Sequence, residues 1–137
     1  MLEQEGLRLA ADRLIYFAHW ITPHGAPRRY DTRFFIALAP PLQTPLHDDQ
    51  ETIAHQWVRP QDALHRHRRG ELVMRTPTVC TLEQLAAGRS AAELVASLAA
   101  PREIPTYQPV IRADGKRLLP GDAGYDEARK AEPGPWN

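Results

Sequence analysis

In Tyr16-Phe-Ala-His-Trp-Ile-Thr-Pro-His-Gly-Ala-Pro-Arg-Arg-Tyr-Asp-Thr-Arg-Phe-Phe-Ile36, two apolar runs flank a turn. Leu14 to Ile21 is rich in aromatic and β-branched residues, which fit a pleated, half-buried surface and predict a strand. Thr22-Pro-His-Gly-Ala-Pro27 is turn chemistry, because glycine and the two prolines break regular structure. Arg33-Phe-Phe-Ile-Ala-Leu-Ala39 then predicts a second strand, apolar on both faces and so a central one. The pair reads as a hairpin-like unit whose connection carries Arg28, Arg29 and Asp31.

Upstream, Leu2 to Leu14 suits either the end of a helix broken at Gly6 or a loop feeding the strand. Downstream, residues 40 to 51 form a proline-rich polar loop ending in Asp48-Asp-Gln-Glu51, and His55-Gln-Trp-Val58 reads as a short strand. A helix over 60–69 opens on Pro60, whose missing N–H costs nothing in a first turn, and stops at Gly70. A second helix starts after Thr76-Pro77, or at the capping-box word Thr81-Leu-Glu-Gln84, and ends near Gly88. Ser90-Ala-Ala-Glu-Leu-Val-Ala-Ser-Leu-Ala-Ala100 is a third helix, capped by Ser90 with Glu93 and stopped by Pro101. In the tail, Asp114-Gly115 between apolar segments predicts a hairpin, and Pro120 onward reads as irregular. No internal repeat or linker divides the chain. The fold class expected is α/β, of mixed α+β type, in one domain over 1–137. Within it, 1–13 ends a helical segment, 14–100 carries sheet and helices, and 101–137 is hairpin and tail.

The 17 basic and 17 acidic residues cancel, so nothing global suggests nucleic acid or an anionic membrane as partner. The basic run Arg66-His-Arg-Arg69 reads as a solvated helix end rather than a phosphate track. Cys80, the single cysteine, excludes an internal disulfide and reads as packing, with a reducing cytoplasm as the simplest compartment. Leu2-Glu-Gln-Glu-Gly6 lacks a signal-peptide apolar region, and no apolar run approaches the roughly 20 residues that span a bilayer. The 13 prolines cluster in loops and tail, which confines regular structure to the segments between them.

Several short words then recur in a specific order. A strand ends in His19-Trp-Ile-Thr-Pro23, and Arg28-Arg-Tyr-Asp-Thr-Arg-Phe-Phe35 follows it. Glu51-Thr lies ahead of Trp57-Val-Arg-Pro60, with helices behind, and Leu119-Pro-Gly-Asp-Ala-Gly-Tyr-Asp126 stands in the tail. In this order the words resemble the Nudix hydrolase superfamily, specifically its acyl-CoA diphosphatase-like branch. The resemblance covers about residues 6–100, and the tail word is similar to the C-terminal ending of bacterial members. It implies the C-terminal half of a Nudix-type α/β/α sandwich, with a mixed sheet and additional C-terminal helices. The implied activity is hydrolysis of nucleoside diphosphate-linked compounds, CoA or acyl-CoA or related dinucleotides, with Mg2+ or Mn2+ in the complete family enzyme.

The family's metal-binding word, Gly-x5-Glu-x7-Arg-Glu-U-x-Glu-Glu-x-Gly-U (U apolar), would precede Tyr16, and only 15 residues stand there. No Glu-Glu pair occurs anywhere in the chain. Either Met1-Leu-Glu-Gln-Glu-Gly-Leu7 overlays the end of that word, leaving Glu3 as the one ligand, or residues 2–11 end a helical insertion that the resemblance to this branch implies. On both readings the metal site is incomplete, so the expectation is an N-terminally truncated chain, inactive alone and binding no metal stably. The alternative is a non-catalytic nucleotide-binding module or one completed by a separate N-terminal half. Loss of the first strands would also expose a sheet edge around Phe34, Phe35 and Leu38, favouring aggregation or a homodimer.

Within this resemblance Glu51 stands where Nudix proteins place an additional carboxylate, as general base or outer metal ligand. The other reading is a solvated acidic loop, and Asp48 and Asp49 read as solvent-facing charges. Arg28, Arg29 and Arg33 suit phosphate oxygens, which a guanidinium fork meets bidentately, and Asp31 would pair with one of them. His65 and His67 point in different directions on a helix, and the remaining histidines lie on separate elements, so they read as surface or packing residues. Trp20 and Trp57 read as core or sheet-edge packing, and Trp136 lies in the end of the tail.

Overall fold

Strand formation at Ile15–Ile21 follows from its β-branched and aromatic content, and in this computed structural model that strand, β1, is the middle of a three-stranded sheet. The structure describes residues 6, 8, 10–42, 44–47 and 49–132. Met1, Glu3, Gln4, Leu7, Asp48 and Trp136, on which some expectations rest, lie outside the described residues. Ahead of β1 stands one short 3-10 turn, Ala11–Arg13. The chain divides into two compact units, one of residues 1–36 with 101–137 and one of residues 37–100. Its content of helix and strand is mixed α+β.

In the first unit, β2 (Asp31–Ile36) runs antiparallel to β1, with His19 opposite Arg33 and Ile21 opposite Asp31. A register shift between Tyr16 and Ala18 marks a bulge. The expected central strand over 33–39 is therefore corrected: it begins at Asp31, ends at Ile36 and lies at the edge in the order β2-β1-β3. Its apolar character on both faces has a different cause. Phe34 packs edge-on to Phe17, while Phe35 lies against Tyr16 with ring centroids 5.5 Å apart. Phe35 and Leu38 remain half exposed.

On the other side of β1, β3 (Thr106–Tyr107) pairs in parallel, His19 with Thr106 and Trp20 with Tyr107. Sequence reading misses β3, because its two residues sit between Pro105 and Pro109 and carry no period. The expected tail hairpin forms from β4 (Val110–Ile111) and β5 (Arg117–Leu118). Gly115 takes φ +80 at the turn, where a side chain would be strained. Its N–H donates to Arg112 O at 2.8 Å, and Arg112 N–H donates to Lys116 O at 2.9 Å. The stretch after Pro120, expected to be irregular, instead contains α4 (Tyr125–Lys130). Asp126 and Glu127 in its first turn and Arg129 and Lys130 in its last complement the helix dipole. Phe17, Ala18, Trp20, Val110 and Leu118 on the strands, with Gln108 and Pro109 between β3 and β4, are buried in this unit.

In the second unit, α1 (Pro60–Arg68), α2 (Thr76–Ala86) and α3 (Ala91–Ala99) lie where the sequence predicts helices. Gly70, at φ +77, ends α1 in a paired-bond cap: its N–H donates to His67 O, and Glu71 N–H to Arg66 O. Ser90 Oγ accepts from Glu93 N–H, as its position before α3 predicts. Helices α1 and α2 pack together, with Gln61 Nε2 donating to Ala86 O at 2.8 Å. The short strand expected at His55–Val58 does not form: among the described residues no strand pairs with it, and Trp57 is 74 % exposed rather than packed. Among the described residues no helix is long and apolar enough to cross a membrane.

Candidate functional site

Alternation along β1 buries Ala18 and Trp20 on one face and turns His19 to the other. Trp20 stacks on Tyr107 at 4.7 Å, which fixes the pleat on the buried face. On the opposite face the register gathers four polar side chains from three strands. His19 Nε2 lies 2.6 Å from Asp31 Oδ1, and Arg33 NH1 reaches the same oxygen at 3.4 Å. On the far side, Thr106 Oγ1 lies 3.3 Å from His19 Nδ1. A carboxylate only accepts, so Nε2 carries the proton in the His19–Asp31 bond. The side chains of His19 and Asp31 are 15 % and 25 % exposed, which shields this pair in part from water. The result is a polar row, Thr106–His19–Asp31–Arg33, across the sheet.

The connection between β1 and β2 opens from one end of this row. Thr22 closes its base: Thr22 N–H donates to Tyr30 O at 2.9 Å, and Tyr30 N–H donates to Thr22 Oγ1 at 3.0 Å. Arg29 Nε donates to Thr22 O at 3.3 Å, so the loop's own backbone orients this half-buried guanidinium. Arg28 beside it is exposed. Gly25, at φ +78, makes the tight reversal between Pro23 and Pro27.

Of the residues singled out from the sequence, Arg28, Arg29, Asp31 and Arg33 thus share one hairpin, and Asp31 engages Arg33. Glu51 belongs to the other compact unit and is exposed on its loop. There Asp49 N–H donates to Thr52 O at 3.0 Å with Asp49 at φ +59, and His47 Nδ1 lies 2.7 Å from Asp49 Oδ1. The His47 and His55 rings stand 5.5 Å apart. Among the described residues no group of three or more His, Cys, Asp or Glu side chains is suited to hold a metal ion. No step through the Mg2+ or Mn2+ that the resemblance implies is derived from the described residues.

Sequence reasoning passed over His19, the hub of the row, as a surface or packing histidine. Its signal lay in the hairpin register, which sets an odd-numbered β1 residue opposite Arg33. Thr106 gave none, since it joins the row from 87 residues away. The basic run at the end of α1 is a helix end, as expected: Arg69 pairs with Glu71 at 2.7 Å, and Arg66 donates to Gln56 Oε1 at 2.9 Å. The Arg69 contact holds the Glu71 carboxyl below its ordinary range. Cys80 sits half-buried on α2, where burial first and Glu83 second push its thiol pKa up, away from nucleophile behaviour. No known protein-family model matches the chain, and no solved structure matches it.

Proposed function

We propose that the chain is part of a Nudix-type hydrolase of nucleoside diphosphate-linked compounds, CoA or acyl-CoA or related dinucleotides, and that its hairpin loop binds the phosphates. The observation that carries this reading is the loop closed by Thr22, which orients Arg29 beside exposed Arg28. Guanidinium groups so placed meet phosphate oxygens with parallel donors. Asp31 neutralises Arg33 in part. Glu51 is the candidate general base, on an exposed loop of the kind that carries such a group. A cytoplasmic setting suits a chain with one reduced, half-buried cysteine.

A second reading, a nucleotide-binding or partner-complemented module without turnover of its own, is favoured by the lack of a divalent-metal donor set among the described residues. One assay separates the two. Purified chain is incubated with CoA, acyl-CoA, NADH and ADP-ribose in Mg2+ or Mn2+, and binding is measured on the same preparation. Turnover abolished by EDTA supports a hydrolase active in this chain, and binding without turnover supports a chain without activity of its own, as a hydrolase part or as the module. Folded protein that neither binds nor turns over any of them overturns both.

A further inference from the structure

The outer side of β2 is a sheet edge, and among the described residues no strand pairs with it. Its backbone direction is fixed at one end. Thr22 N–H bonds to Tyr30 O, which turns the Tyr30 backbone toward β1. Backbone groups alternate in direction along a strand, so the N–H and C=O groups of Asp31 and Arg33 point away from β1. Exposed groups of this kind form a template for another strand.

The charge pattern selects which strand. We infer that β2 pairs antiparallel with β2 of a second copy of this chain, about a two-fold axis passing through Thr32. This register sets Asp31 of each copy opposite Arg33 of the other, twice over, in the positions whose backbone groups face outward. It also sets Tyr30, 60 % exposed, opposite Phe34 of the second copy. Opposite charges and aromatic pairs directly across a ladder stabilise it, and like charges there oppose it. The neighbouring registers are excluded on that ground: an axis through Asp31 faces acid with acid, and one through Arg33 faces base with base. The edge therefore encodes its own alignment. Asp31 stays tied to His19 throughout, so the polar row continues from one copy into the next. In this register Arg29 and Arg28 lie outside β2, opposite Phe35 and Ile36 of the second copy, and the charge pairing is carried by Asp31 and Arg33 alone.

Sedimentation equilibrium of the purified chain tests this over roughly 10 μM to 1 mM, the range of small, weak interfaces. The expected species is a reversible dimer of twice the 15.5 kDa chain mass. Arg33→Asp faces acid with acid at both positions and weakens the dimer about tenfold or more. Asp31→Arg faces base with base and does the same, while the double variant Asp31→Arg/Arg33→Asp restores opposite charges and regains the dimer. Circular dichroism matching the wild type establishes the fold of each variant. A chain monomeric throughout that range, a dimer indifferent to Arg33→Asp, or a double variant as weak as the singles overturns the inference.

Discussion

Asp31 accepts from His19 and Arg33 through one oxygen, and the two contacts differ in weight. The His19 bond, at 2.6 Å between side chains 15 % and 25 % exposed, is short and partly shielded. The Arg33 contact, at 3.4 Å from a side chain 57 % exposed, is the kind of surface pair that contributes little. Removing the acceptor by Asp31→Ala is thus expected to cost about 1 kcal/mol, mostly through His19. His19→Ala should cost a similar amount, and the double variant scarcely more than either single. Thermal unfolding of the three variants checks this, and strictly additive losses would show the two residues to be independent. Reading the sequence alone gave Asp31 an arginine partner and missed the histidine. Pairing two residues apart in one strand is visible in a linear string. Pairing across a hairpin with a bulge at Tyr16 and Ala18 depends on a register that the string does not print.

At the level of elements, legibility follows local determinacy. The ends of α1 and α3 were readable because Gly70 and Ser90 act through bonds to residues within a turn of themselves. The turn at Gly115 was readable for the same reason. By contrast β2 was misplaced at the centre, because apolar side chains on both faces fit a buried strand as well as one flanked by Phe17 and Tyr16. The helix α4 was missed because six residues carry no period, and its anchorage is tertiary. Tyr125 Oη donates to Gln108 O at 2.9 Å, and Arg129 NH2 donates to Gln108 Oε1 at 3.1 Å, so α4 is clasped to a buried side chain on the segment between β3 and β4. Burial, ahead of the opposing pull of Arg129, raises the Tyr125 pKa above its ordinary 10.0. A group held protonated in the folded state contributes its full stability below its unfolded pKa and loses it as pH rises through the folded one. Stability is therefore expected to fall above pH 10 more steeply in the wild type than in Tyr125→Phe. The phenylalanine variant should also start lower by about 1 kcal/mol for the lost hydrogen bond. Parallel alkaline denaturation curves for the two proteins would contradict this.

Across the whole molecule, the chain separates into a sheet unit with the arginine loop and a helical unit with Glu51. The mixed α+β class was legible because helix and strand periods switch along the chain in order. The candidate site was legible in part: the arginines and Asp31 fall on one hairpin, while the row they join required β3, a strand of two residues. The exposed loop before α1 was not legible, since His55–Val58 has strand-like composition and lacks only a partner. Phosphate recognition by the arginine loop is tested by equilibrium binding of CoA to the purified chain. Saturable binding is expected, weakened about tenfold or more in Arg28→Ala/Arg29→Ala through the loss of two charge-assisted phosphate contacts. No saturable binding by folded protein, or the same isotherm for wild type and variant, would contradict it.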